Sequence, residues 1–129
     1  MSEPRLKVLV VDDEPIVIKR LKSFLEKEGL DVEVYSSSLE AWERIKTKKF
    51  DLLITDLKME GIDGLELLTK AQELYPDLYV VVITGFATTD TANESFKKGV
   101  FDFLAKPFRL SDLKAILQKI IEDKNAKQT

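Results

Sequence analysis

Leu6-Lys7-Val8-Leu9-Val10-Val11 is an apolar run broken only by Lys7, and it stops on Asp12-Asp13-Glu14-Pro15. A short apolar run without strict alternation suits a strand covered on both faces, as in a parallel sheet. Proline suits the first position of a helix, so a strand over residues 6–11 leads directly into a helix from Pro15. The same strand-then-acid pattern returns at Phe50-Asp51-Leu52-Leu53-Ile54-Thr55-Asp56. If these strands are parallel neighbours, Asp12, Asp13 and Asp56 converge at one sheet edge. Such a cluster repels itself in water and implies either a bound cation or raised pKa values, and hard cations such as Mg2+ take oxygen ligands of this kind.

Outward from these two segments, strand-like and helix-like periods alternate five times, which predicts an α/β domain with a parallel sheet. The first helix carries Val17, Leu21, Phe24 and Leu25 at helical spacing and ends at Gly29. A strand follows over residues 31–35. Ser38 is suited to cap the second helix, whose Leu39, Trp42 and Ile45 form one stripe before the basic run of residues 46–49. The loop of residues 58–64 leads to a third helix with Leu65, Leu68 and Leu74. Residues 78–83 are the most strand-like in the chain. The fourth helix, roughly residues 88–98, is polar; Ala92 and Phe96 are its chief anchors and Gly99 its stop, which suggests a loosely held element. A strand over residues 101–105 ends at Lys106-Pro107-Phe108. Ser111 opens a last helix with Leu113, Ile116, Leu117, Ile120 and Ile121 on one face, and the polar tail of residues 123–129 is expected to fray.

The 129 residues suit a single domain with a core of about residues 5–122. Forty-four per cent apolar and 33% charged residues fit a soluble globular chain, and a net charge of -3 offers no broad basic field for nucleic acid. No apolar run reaches the ~20 residues of a membrane span, and Met1-Ser2-Glu3-Pro4-Arg5 lacks the apolar centre of a signal peptide, so a cytoplasmic location is expected. Without cysteine there are no disulfides or thiolate sites. Without histidine, chemistry must come from carboxylates, Lys, Ser/Thr, backbone groups and metal.

In open parallel sheets the functional crevice lies at the carboxyl ends of the strands. Those ends carry Asp12, Asp13, Asp56, Thr84 and Lys106. Singly each has an ordinary reading, as a helix-dipole partner, a turn former, a strand residue or a loop charge. Together, in the segments VLVVDDEP, DLLITDLKMEGIDGLELL, VVITGFAT and FDFLAKPF, the set closely resembles the receiver domains of bacterial two-component response regulators over about residues 5–122. The resemblance implies a flavodoxin-like, doubly wound fold with five parallel strands in the order 2-1-3-4-5 and helices on both faces.

It also implies that Asp56 accepts a phosphoryl group from a phosphohistidine on a sensor histidine kinase or phosphotransfer protein. Asp13 and Asp56 would bind Mg2+ directly, Asp12 would act mainly through water, and the backbone carbonyl of Lys58 would add an oxygen. Lys106, before a peptide bond usually cis in this family, would pair with Asp56 or its phosphate, and Thr84 would turn its hydroxyl to the phosphoryl oxygens. Phe103 is open to two readings, a plain core residue or the aromatic that moves as Thr84 moves. In the second reading the surface of the fourth helix, fifth strand and fifth helix is the output face. No external substrate would be turned over, so the chain is not expected to be an enzyme in that sense.

One departure stands out. The family usually has Pro where this chain has Glu60, which frees the loop after Asp56 and adds a negative charge. Lys58 and Phe86 occupy the positions that influence acyl-phosphate hydrolysis in the family, and bulky Phe86 predicts a long-lived phosphoform. Two rivals remain: a phosphotransfer-deficient interaction module, and a Mg2+-dependent phosphatase with an Asp nucleophile. The phosphatase pattern is D-x-D, and here Glu14 occupies its second acidic place. Neither phosphate-binding glycine loop is present. A free-standing receiver, a relay carrier, or a fragment of a longer regulator all fit, as does dimerisation on phosphorylation.

Overall fold

The computed structural model describes residues 5–59 and 61–127. Glu60 therefore lies outside the described residues, as do residues 1–4 and 128–129. Five strands alternate with five helices: β1 Lys7–Val11, α1 Pro15–Lys27, β2 Asp31–Tyr35, α2 Ser38–Thr47, β3 Leu52–Thr55, α3 Gly64–Leu74, β4 Tyr79–Thr84, α4 Thr89–Lys97, β5 Asp102–Ala105 and α5 Leu110–Lys127. All pairings are parallel, in the order β2-β1-β3-β4-β5. The parallel α/β sheet is the one the alternating periods predicted, and its doubly wound strand order is the one the resemblance implied.

Alternate residues of the central strands feed two cores. Val8, Val10, Leu52, Ile54, Val81 and Ile83 face one side with Leu21 and Leu25 of α1 and Leu113, Ile116, Leu117 and Ile120 of α5. Leu9, Val11, Leu53, Val80 and Val82 face the other with Ala41 and Ile45 of α2 and Leu67, Leu68 and Ala71 of α3. Burial on both faces explains why these strands read as continuous apolar runs, and each buried Leu, Ile or Val contributes about 1.5–3 kcal/mol relative to exposure.

Several local expectations are corrected. Ser37, not Ser38, caps α2 by accepting from the Glu40 N–H, and Ser38 is buried inside the first turn. The inward face of α2 is Ser38, Ala41 and Ile45, so Leu39 lies one position off it, exposed beside Gly61 of the loop between β3 and α3. Leu74 and Ile121 are likewise exposed. Phe96 is 49% exposed and only Ser95 of α4 is buried, so this helix is held still less firmly than its sequence suggested. The tail does not fray at Asp123: α5 continues to Lys127, with Tyr79 donating its hydroxyl hydrogen to Asp123 and Lys124 pairing with Asp51 at 3.0 Å.

Glu33 on β2 gathers Arg44 of α2 at 2.8 Å and Lys48 just past the end of α2 at 2.6 Å, tying an edge strand to its helix. The hydrogen bond from Arg44, followed by that from Lys48, outweighs partial burial and holds Glu33 down at about 2 from an ordinary 4.5. Because the folded-state value is the lower one, this contribution is complete above pH 4.5 and is lost as pH falls toward 2. Glu33→Gln is expected to cost about 1–2 kcal/mol at neutral pH. In urea unfolding, the gap between wild type and variant should shrink through that acid window; a constant gap would contradict the assignment.

Candidate functional site

The sheet register explains why the acids meet. Val11 of β1 is paired with Thr55 of β3, so the next residues, Asp12 and Asp56, emerge side by side at the carboxyl edge. The Asp56 N–H donates to the Val11 carbonyl at 3.2 Å and the Asp12 N–H to that of Tyr35 at 3.2 Å, fixing both main chains. On the next strands Thr84 is paired with Ala105, and the Lys106 N–H donates to the Thr84 carbonyl at 2.8 Å. The Lys106-Pro107 bond is cis, as the resemblance implied.

Asp12 and Asp56 are 2% and 3% exposed and Thr84 is fully buried, whereas Asp13 and Glu14 are exposed. Lys106 Nζ lies 2.9 Å from Asp56 Oδ2, 2.8 Å from Asp12 Oδ2 and 2.6 Å from Glu14 Oε1. The direct contact with Asp12 and the participation of Glu14 were not foreseen. Asp56 Oδ1 accepts the Leu57 N–H at 2.6 Å, and Asp12 Oδ1 accepts the Glu14 N–H at 2.9 Å. Burial raises the Asp12 pKa against the opposing hydrogen bond from Lys106. Burial also works against the Lys106 charge, but its bonds to Asp12, Glu14 and Asp56 prevail and hold its pKa above the ordinary lysine value.

Asp12, Asp13, Glu14 and Asp56 place a carboxylate oxygen each within 4.8 Å of one another. An all-oxygen donor set with more negative charge than one ammonium can offset fits a hard divalent cation. Beside it opens a cleft of about 420 Å3 lined by Asp13, Glu14, Asp56, Lys58, Met59, Asp63 and Phe86. A small anionic group can reach the Asp56 carboxylate from there. Phe86, 55% exposed, stands on this cleft with the Lys58 ammonium 5.8 Å from its ring centroid.

Thr84 Oγ1 accepts the Phe86 N–H at 3.1 Å, and among the described residues the hydroxyl donates to nothing. The Phe86 carbonyl in turn accepts from Thr91 Oγ1 at 2.9 Å, and Thr91 closes a capping box with Thr88 at the start of α4. Phe103 is half-buried and packs on the core beneath α2 and α3.

Two residues of the site escaped sequence reasoning. Glu14 stands at the N-cap of α1, where its side chain makes no capping bond and turns to Lys106 instead; the acidic run before Pro15 was its only signal. Gly64 opens α3 against Asp56: a Cβ there would stand 1.9 Å from the Asp56 carbonyl oxygen, and the Gly64 N–H donates to the Leu57 carbonyl at 2.8 Å.

A family model described as "Response regulator receiver domain" matches residues 8–118. The transcriptional regulatory protein ZraR of Klebsiella oxytoca is 32% identical over 121 residues, covering 94% of this chain and 27% of that protein. The response regulator protein PilR of Pseudomonas aeruginosa is 35% identical over 121 residues, with the same two shares, 94% and 27%. The chain thus spans about a quarter of the length of these relatives. Among solved structures, a receiver domain protein from Clostridium thermocellum superposes with a TM-score of 0.86 at 32% identity, covering 94% of this chain and 98% of that one. The beryllofluoride-activated NtrC4 receiver domain dimer gives 0.85 at 35% identity, covering 91% and 97%.

Because the main-chain oxygen of Asp56 is backbone and cannot swing aside, Gly64→Ala is expected to cost about 2–3 kcal/mol. A denaturation midpoint equal to that of wild type would show that the loop yields without penalty.

Proposed function

The chain belongs to the response regulator receiver domain family, and on that premise we propose that Asp56 accepts a phosphoryl group from the phosphohistidine of a sensor histidine kinase or phosphotransfer protein. The observation that carries this reading is the 2.9 Å contact of Lys106 Nζ with a buried Asp56 carboxylate at the edge of an open acidic cleft. An Asp56 oxygen attacks phosphorus in line and a P–O bond forms. The P–N bond breaks, and its electron pair stays on the imidazole nitrogen, which leaves as the neutral ring when its other nitrogen carries the proton. The product is an acyl phosphate. Such a transfer needs alignment and charge compensation more than covalent help.

Asp13 and Asp56 would hold Mg2+ directly, Asp12 mainly through water, and the Lys58 carbonyl would add an oxygen; the bound ion supplies positive charge for the carboxylates and phosphoryl oxygens. Lys106 follows the charge onto the phosphoryl group. Thr84, whose hydroxyl hydrogen is free to be donated, turns to a phosphoryl oxygen and gives up the Phe86 N–H. The chain acts on itself and turns over no external substrate.

The loosely anchored α4, with β5 and α5, is the face on which this change is read, by a second copy, an output domain or a downstream protein. Location in the cytoplasm suits a kinase partner, and no helix among the described residues is long and apolar enough to cross a membrane. Phe86 at the mouth of the cleft shields the acyl phosphate from water and has no group to orient a nucleophilic one.

Incubation with Mg2+ and a small phosphodonor should add one phosphoryl mass to wild type and none to Asp56→Asn, and a chelator should suppress it. No adduct, or equal adducts on both, would overturn the reading. The phosphoform should be long-lived, and Phe86→Glu should shorten its lifetime several-fold. Loss of phosphate from wild type as fast as in a chemotaxis-type receiver would defeat the shielding argument.

A further inference from the structure

Arg20 lies outside the acidic cluster, yet it holds the loop that carries Lys106. From the second turn of α1 its Nη2 donates to the Phe108 carbonyl at 3.1 Å, and its guanidinium carbon lies 4.7 Å from the Phe108 ring centroid. Phe108 is buried with Leu21, Leu113 and Leu117. Its neighbours Pro107 and Arg109 are exposed, as is Ala105 before the lysine, so Phe108 is the buried anchor between β5 and α5. On the other side of the same loop the Lys106 N–H is fixed to the Thr84 carbonyl at 2.8 Å. The lysine is therefore pinned by β4 on one side and by Arg20, through Phe108, on the other.

This matters because a four-carbon stem reaches one defined point only from a fixed backbone. Lys106 meets three carboxylates at 2.6–2.9 Å, and a shift of its Cα would break that convergence. We propose that Arg20 is a positioning residue for phosphoryl transfer, holding the Lys106 loop through Phe108 so that the ammonium meets Asp56. The inference rests on the reading of Asp56 as phosphoacceptor. It requires arginine in particular, because the contact uses both a directed N–H and a flat cationic face over an aromatic ring, which lysine does not combine.

The test is the rate of phosphorylation of the full chain by an acyl phosphate with Mg2+, read by intact mass. Wild type, Arg20→Ala, Arg20→Lys, Lys106→Ala and the Arg20→Ala/Lys106→Ala double variant are compared. Both Arg20 variants should lose about tenfold in maximal rate, while the donor concentration giving half-maximal rate moves less than about twofold. In the Lys106→Ala background the Arg20 change should cost nothing further, because its effect passes through that lysine. Equal losses in both backgrounds, or wild-type rates in both Arg20 variants, would overturn the proposal. Should Arg20→Ala fail to fold, Arg20→Lys carries the test, since it keeps the charge and the helix propensity. An adduct on wild type that is absent from Asp56→Asn, with undiminished Arg20 variants, means the positioning role alone fails. No adduct on wild type means that the reading of Asp56 fails and takes this proposal with it.

Discussion

One ammonium shared among Asp12, Glu14 and Asp56 is the contact on which the other features of the site depend. Buried carboxylates without a partner would be strongly disfavoured, and a buried lysine equally so. Their coexistence at 2.6–2.9 Å requires that four chain segments arrive at one place. The parallel register delivers Asp12 and Asp56, the cis Lys106-Pro107 loop delivers the lysine, and the start of α1 delivers Glu14. Gly64 lets α3 begin directly against the Asp56 carbonyl, where any side chain would intrude.

The same contact has an unequal mechanical neighbourhood. The sheet beneath it is fully buried through β3 and β4, so the acids cannot shift without disturbing both cores. Above it, Thr84, Phe86 and Thr91 form a chain of three groups joined by two hydrogen bonds, which ends in the cap of α4. That helix buries only Ser95. A rotation of the Thr84 hydroxyl would free the Phe86 N–H and loosen the cap, at little cost in apolar packing. Rigidity on the acid side and weak anchoring on the α4 side would direct the proposed change in charge toward α4.

Sequence disclosed the fold because both faces of the sheet are covered. Runs such as Val8 to Val11 and Val80 to Ile83 are too short and too rich in β-branched residues for buried helices, and the helices between them carry apolar stripes at the helical period. The five pocket residues were legible for a related reason: parallel strands all end on one edge, so position along the chain translates into proximity. What stayed hidden depends on side-chain direction. Leu39 and Leu74 fit apolar stripes and yet point outward, because the inward face of a helix is the one its neighbours cover, which on α2 is that of Ser38, Ala41 and Ile45. Glu14 read only as one of the acids before Pro15, and nothing in the letters says that its carboxylate makes no cap for α1 and turns to Lys106 instead. Arg20 could not be tied to Phe108 across 88 residues without the fold.

The charge balance of the cluster also constrains what can happen there. Four carboxylates stand against one ammonium, so the site is negative before any reaction and cannot receive a phosphoryl group, itself carrying about two negative charges near neutral pH, without added positive charge. A divalent cation among Asp12, Asp13 and Asp56, as proposed above, would relieve that repulsion and would leave Lys106 able to move its contact from a carboxylate oxygen to a phosphoryl oxygen. Lys106 cannot make that move and keep all three present distances, since Asp12 and Glu14 approach it from fixed backbone. If the proposed acyl phosphate forms on Asp56, the contact of Lys106 with Glu14 at 2.6 Å or with Asp12 at 2.8 Å would have to lengthen. The proposed reacting group would thus be coupled to α1 as well as to α4, and Arg20, on the same helix, sits where the Lys106 loop would feel that change.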